Sequence, residues 1–195
     1  MEKKRIIIEN LTRQPQLFGI DEYDDHIEIG RLLSKDIEEV YVSGEINGKP
    51  VTVIKDECFF NEFKIRSITL PEGLKKIGCG AFALCKGIHE FVIPDSVEEI
   101  GTHAFRDCTG LAGGRVVMPQ SLRVLDHSVF AFCYMDGVKF ELKEGLEVIR
   151  SHAFYSAGAF DLIIPESVKM IQPGAFANSN IKVKTSLPYR EDWFE

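Results

Sequence analysis

Five cysteines and five histidines are spread along the chain, and from such side chains a metal centre or a nucleophile would be built. None of the cysteines forms a Cys-x-x-Cys pair. Cys85, Cys108 and Cys133 instead each stand three residues after a phenylalanine, at a position that holds Ala157 and Ser179 further along. That column asks for a small residue, so buried and reduced thiols are expected, a free cysteine behaving as a small hydrophobe. Zinc needs ligands converging from several sides, whereas the column sets one thiol per copy in a row. Neighbouring thiols about 4.8 Å apart satisfy disulfide distance, but their parallel side-chain vectors argue against a bond.

His103 and His152 both lie two residues before such a phenylalanine, in copies two apart, so about 10 Å separates them and they share no metal by direct bonds. His127 is one column over in the copy between; the three could come together on one edge, but plain surface residues of their columns are the expected reading. The acidic run Asp21, Glu22, Asp24, Asp25 and Glu28 has the charge of a calcium loop without its alternating ligands, central glycine and late glutamate. It is expected to be a solvated loop. No nucleophile elbow, phosphate loop, zinc-protease helix or dinucleotide fingerprint occurs, and the glycines are turn residues. No catalytic residue, cofactor or metal is therefore assigned, and an enzyme is not expected.

What must position these columns is a repeated unit, seen in Ile93–Leu111, IPDSVEEIGTHAFRDCTGL. Counting from Pro94, apolar residues stand at Val97 and Ile100, then come Gly101, Ala104-Phe105, Cys108 and Leu111. The same frame sets on Pro71, Pro119, Lys143 and Pro165, with a phenylalanine eleven residues later in all five copies: Phe82, Phe105, Phe130, Phe154 and Phe176. An atypical first copy begins at Glu39, with Ser43 at the frame position, Asn47-Gly48 as a turn and Cys58-Phe59 aligned with Ala81-Phe82. The six phenylalanines are expected to stack in one buried column.

Before each frame residue the chain alternates, as at Phe91 and Ile93 or Leu162 and Ile164, the period-two mark of a short strand with one buried face. Proline then ends the ladder by lacking an N–H. A second apolar pair, such as Leu74 and Ile77, returns the chain past the core. Gly78 and Gly101 come next, where a positive φ is easy, and Asp126 tolerates one. Only the interval from phenylalanine to the next frame residue varies, being twelve, fourteen, thirteen and eleven residues, as in a self-stacking coil with a variable rim. Lys75, Glu98, Arg123, Glu147 and Lys169 alternate in sign from copy to copy, a favourable neighbour pattern.

The array spans residues 39–181. Residues 1–38 lack the frame and are expected to form an N-terminal cap over the first core layer, and 182–195, with Trp193, Tyr189 and Phe194, a C-terminal cap or a docking tail. Arg5–Glu9 suits a short strand, and Gln14-Pro15 interrupts regular structure after it. Between Asp25 and Glu39, Ile27, Leu33 and Ile37 share a helical face while Ile27 and Ile29 alternate as in a strand. A helix or irregular cap is expected there.

The chain has 195 residues, 45% of them hydrophobic, and carries a net charge of −7 from 30 acidic and 23 basic residues. Scattered cations do not suit a nucleic-acid surface, which needs concentrated positive charge. The amino terminus offers only Ile6, Ile7 and Ile8 in a row, against the roughly seven of a signal peptide and about twenty of a membrane span. As given, the chain is expected to be cytoplasmic; a removed leader would make it secreted or surface-bound.

One row remains. Thr69, Val92, Val117, Glu141 and Ile163 stand between the buried strand residues, so they should point outward on a continuous ribbon, and mostly they are apolar. Glu90, Arg115, Lys139 and Asp161 would form its charged rim. Two readings stay open: β-branched residues suiting strands, or a recognition strip for a protein partner or a second copy of this chain.

The units ITLPEGLKKIGCGAFALCKGI, FVIPDSVEEIGTHAFRDCTGL and LIIPESVKMIQPGAFANSNI resemble the BspA-like (Treponema pallidum-type) leucine-rich repeat, whose pattern is an apolar-x-apolar-Pro strand, Ser-Val, Ile-Gly, Ala-Phe and Cys. Departures are Lys143 for proline, Val129 for alanine, and Ala157 and Ser179 for cysteine. The resemblance implies an α/β solenoid: a right-handed superhelix of short parallel strands with turns and short helical or 3₁₀ segments, capped at both ends. It implies non-enzymatic protein binding by an interaction scaffold or a bacterial surface adhesion module, and brings no catalytic residues.

Overall fold

The computed structural model describes residues 3–8 as a strand and residues 16–195 in full. Each copy contributes two parallel strands to two separate columns. The first column runs through Glu39–Tyr41, Ser67–Thr69, Glu90–Val92, Arg115–Val117, Lys139–Glu141, Asp161–Ile163 and Lys182–Lys184. Its register sets Val92 beside Val117 and Val117 beside Glu141. The second column pairs Ile54 with Ile77 and Ile77 with Ile100, then Leu125 with Ile149 and Ile149 with Ile171. Phe91, Ile93, Leu162 and Ile164 from the first column, and Leu74 and Ile77 from the second, are buried as the alternation requires.

The third side carries the phenylalanines. Phe59, Phe82, Phe105, Phe130, Phe154 and Phe176 are all fully buried, with successive ring centroids 5.0, 5.4, 5.1, 5.8 and 5.7 Å apart in stacked geometry. Phe18 extends the column at one end by an edge contact at 6.0 Å, and Phe194 at the other at 5.5 Å. Burying a phenylalanine is worth roughly 1.5–3 kcal/mol, so this column is a main source of cohesion between copies.

No α-helix occurs among the described residues, and the only 3₁₀ segments there are Thr109–Leu111 and Glu191–Trp193. The expected α/β class therefore gives way to a β-solenoid. The reason lies in where the phenylalanine N–H goes. In each copy it donates to a carbonyl of the following copy, as from Phe82 to Ala104 at 2.8 Å and from Phe130 to Ala153 at 2.9 Å, leaving nothing for a helical i−4 bond. The residues two before and two after the ring also take positive φ in every copy, for example His103 (60°) and Asp107 (59°), or His152 (58°) and Ser156 (49°). A right-handed helix excludes that conformation.

Gly78 and Gly101 correct a second expectation, because neither has a positive φ. A Cβ on Gly78 would sit 2.4 Å from the Asp56 nitrogen, and on Gly101 2.6 Å from the Cys79 nitrogen. These glycines serve close approach between copies, and the left-handed residue falls two positions later.

The N-terminal segment also departs from the expected helix or irregular cap. Ile27–Leu32 is a strand, antiparallel to Gln16–Glu22, which in turn pairs with Lys3–Ile8. Ile27 lies beside Val51 in parallel register, so this hairpin unit joins the second column, and Ile27, Ile29 and Leu32 are buried. Period two prevails because the column offers the segment a ladder that a helix could not use. Gln16, itself buried, completes the edge of the first column: its amide donates to the Glu39 carbonyl at 2.7 Å and accepts from the Tyr41 N–H at 3.1 Å. The expected break at Gln14-Pro15 lies outside the described residues, as does Glu9 at the end of the expected first strand.

At the other end the tail repeats the frame in short form. Lys182–Lys184 pairs in parallel with Asp161–Ile163, and the Phe176 N–H donates to the Trp193 carbonyl at 2.8 Å. Trp193-Phe194 thus stand where Ala-Phe stand in the other copies, while the second strand between them is missing.

Candidate binding surfaces

The outward row expected to be continuous is carried by strands that pair in three separate groups, Glu39–Tyr41 with Ser67–Thr69, Glu90–Val92 with Arg115–Val117 and Lys139–Glu141, and Asp161–Ile163 with Lys182–Lys184. Thr69, Val92, Glu141 and Ile163 are exposed, Val92 at 52% and Ile163 at 67%, and so are the rim residues Glu90, Arg115, Lys139 and Asp161. Val117 is only 4% exposed. Arg115 starts two residues upstream on the same face, and its guanidinium reaches both Glu90 at 3.3 Å and Glu141 at 3.7 Å. Glu141 is the register partner of Val117, so these ion pairs run across the ribbon at the level of the buried valine. The apolar strip is consequently interrupted: Val92, with Tyr41 two strands away, stands on one side of the ion-paired centre, and Ile163 on the other.

Beside Ile163 the ribbon is concave. Arg115, Lys139, Glu141, Asp161, Ile163 and Lys184 border a depression of about 460 Å³. Lys139, Asp161 and Lys184 have no ion-pair partner among the described residues. Here the ribbon offers an apolar side chain beside charges of both signs, three of them without a charged partner among the described residues.

The alternating charge column pairs where its side chains reach: Lys75 with Glu98 at 2.7 Å and Lys169 with Glu147 at 2.9 Å. The acidic run proves to be only partly a loop. Asp21 and Glu22 are strand residues, Asp21 buried against Lys55 and Glu22 held by Lys49 at 3.0 Å. Among the described residues no group of three or more histidine, cysteine or acidic side chains is placed to share a metal.

The cysteine column holds a signal that size alone does not convey. Cys85, Cys108 and Cys133 each donate their thiol to the phenylalanine carbonyl of the preceding copy, at 3.1, 3.1 and 3.0 Å. Ser179 does the same to Phe154 at 2.6 Å. The column thus selects a small residue with a donor, except at Ala157. All five thiols are free, and only Cys79 is exposed. Burial pushes Cys85 and Cys133 up to about 12 and raises Cys58 and Cys108 as well. Ser96 and Ser167 repeat the device in another column, donating to the Leu74 and Leu146 carbonyls, each at 2.8 Å.

The three histidines do share one edge. His103 and His152 border a common concavity with Arg106, Phe132 and Tyr155, while His127 turns to Ser151, its Nδ1 lying 2.8 Å from the hydroxyl. The aromatic members escape a reading based on the frame because Phe132 and Tyr155 stand two and one residues past their phenylalanines, at positions that other copies fill with Leu84 or Ser156 and with Ala83, Ala131 or Ala177.

A family model described as a BspA type leucine rich repeat region matches residues 48–185 in six copies. No curated protein matches the chain. Among solved structures, a leucine rich cell surface protein from Faecalibacterium prausnitzii is 21% identical, with a TM-score of 0.67 over 96% of this chain and 57% of the other. A leucine-rich repeat protein from Eubacterium ventriosum is 24% identical, with a TM-score of 0.63 over 91% and 52%. One from Bacteroides ovatus is 19% identical, with a TM-score of 0.53 over 89% and 58%. The chain spans little more than half the length of each, and these likenesses concern the fold. With the family model covering most of the array that carries the recurring offsets, the paired strands and the ring column, the chain belongs to the BspA-type leucine-rich repeat family.

Proposed function

We propose that this chain is a non-enzymatic protein-interaction module that receives a segment of a partner protein on the strand ribbon. Residues 39–181 then form the binding array, with 1–38 and 182–195 closing its ends. The observation that carries the reading is Ile163, an apolar side chain two-thirds exposed beside a charged depression. Solvated strand faces are usually polar, and an apolar centre with a polar border marks interfaces. A second reading, adhesion at a cell surface, draws on the description of the Faecalibacterium structure as a cell surface protein; the same ribbon would then face another cell's proteins or a second copy of this chain.

Val92→Lys combined with Ile163→Lys tests the assignment. Both side chains are exposed, so the unfolding free energy should stay within the few tenths of a kcal/mol typical of surface changes, while partner binding or self-association falls at least tenfold, about 1.4 kcal/mol. Val117→Lys is the contrast: it buries a charge and should destabilise the fold. Undiminished binding by the double variant would move the site off the ribbon.

A further inference from the structure

On the turn edge, three consecutive copies build a second concavity that the ribbon reading does not use. His103 and Arg106 come from one copy, Ser128 and Phe132 from the next, His152 and Tyr155 from the third, around about 330 Å³, the lower end of small-molecule pockets. His103, Ser128 and His152 hold φ of 60°, 55° and 58° where the flanking copies place Gly80 and Gly174. Side chains thus stand in a conformation that favours glycine, in the three copies that line the concavity. Phe132 takes 60°, a positive φ as at its position in every copy.

The groups are fixed by one another. The Arg106 guanidinium lies 5.0 Å from the Phe132 ring centroid, Tyr155 meets Phe132 edge-on at 5.1 Å, and His152 lies 5.5 Å from Tyr155. Asn178 donates to the Tyr155 hydroxyl at 2.6 Å. Asp107 holds Arg106 through Nε at 3.1 Å, and the two terminal nitrogens of that guanidinium have no partner among the described residues. No aspartate, glutamate, asparagine or glutamine lines the space. Burial, with the charges of Arg106 and His127, holds His103 below the ordinary imidazole range.

We propose that this concavity binds a carboxylate carried directly on a flat ring, of the benzoate type, its carboxylate on Arg106 and His103 and its ring against Phe132 and Tyr155. Arginine presents free N–H groups in the fork that matches a carboxylate, and aromatic walls favour stacked or edge-on rings. A sugar acid fits less well, because its several hydroxyls would lie against the Phe132 and Tyr155 rings, where the only side-chain acceptors are the Ser128 and Tyr155 hydroxyls and a neutral imidazole nitrogen.

The test is a titration of the intact chain with benzoate, followed by the imidazole NMR signals at about pH 5.5 and about pH 8. His103 and His152 should shift together and saturably. Binding should be tighter at the lower pH, since a carboxylate favours the protonated His103, which is faced by Arg106, His127, His152 and Tyr155, with Asp107 behind Arg106. Acetate and benzamide should each bind roughly tenfold more weakly. Arg106→Gln should weaken benzoate by a similar factor with the melting temperature unchanged, and His103→Asn, which tolerates positive φ, should flatten the pH dependence. Imidazole signals that do not move, benzamide binding as tightly as benzoate, or an unaffected Arg106→Gln would each overturn the proposal and leave the ribbon reading untouched.

Discussion

At the scale of single residues, the thiols make the sharpest prediction. Alkylation of the native protein at neutral pH should modify Cys79 alone, and alkylation after unfolding without reductant should modify all five cysteines. Burial also couples them to stability. In the folded chain Cys85 and Cys133 keep their protons up to about 12, whereas an unfolded thiol releases its proton near 8.5. The unfolded state then binds fewer protons, so stability is full below that pH and declines as pH rises towards 12; urea titrations at pH 7 and about pH 10 would show it, and equal midpoints would contradict it. The ring column and the small-residue column were legible because their offsets recur whatever the neighbours are. The burial of Val117 was not, since alternation sets it outward, and repeat spacing carries no information about where long side chains such as Arg115, paired with Glu90 and Glu141 from neighbouring copies, are laid.

Elements show the same division. The first strand column could be read from period-two alternation and the stopping proline; the second showed only as an apolar pair three residues apart, its two-residue strands being too short for a period, and the third side could not be read because a ring with an apolar neighbour suits a short helix as well as a turn. What decides is the destination of the phenylalanine N–H, a bond between copies. Glycine positions were legible while their cause was not, and substitution separates the two causes. Gly101→Ala should cost more than Gly80→Ala: the first drives a Cβ to 2.6 Å from the Cys79 nitrogen, while the second meets only the flexible Glu57 side chain at 3.7 Å and a positive φ. About 1–2 kcal/mol is expected at Gly80 and at least the upper part of the 1–3 kcal/mol overpacking range at Gly101. Thermal melts that rank them the other way would return positive φ to Gly101 as its reason.

For the whole molecule, the stack behaves as a nearly one-dimensional object in which each copy supports its neighbours. Its ends use the same currency: a hairpin strand joins the second column at one end, and Trp193-Phe194 supplies an abbreviated rung at the other. Neither end was legible as such, the first because Ile27 and Ile29 fit two periods, the second because the missing strand hides the frame. A stack of this kind keeps several faces, and the central claim is that one of them, the strand ribbon, binds protein. A photo-reactive amino acid placed at Ile163, with one at Met170 as control, tests this most directly. Both residues are more than half exposed and apolar, and they belong to different strand columns. Illumination in extracts of the source cells or of cells it contacts should give discrete protein adducts from position 163 and only background from 170, with the 163 adducts lost on adding Val92→Lys. Adducts of equal yield from both positions, or from 170 alone, would contradict the account.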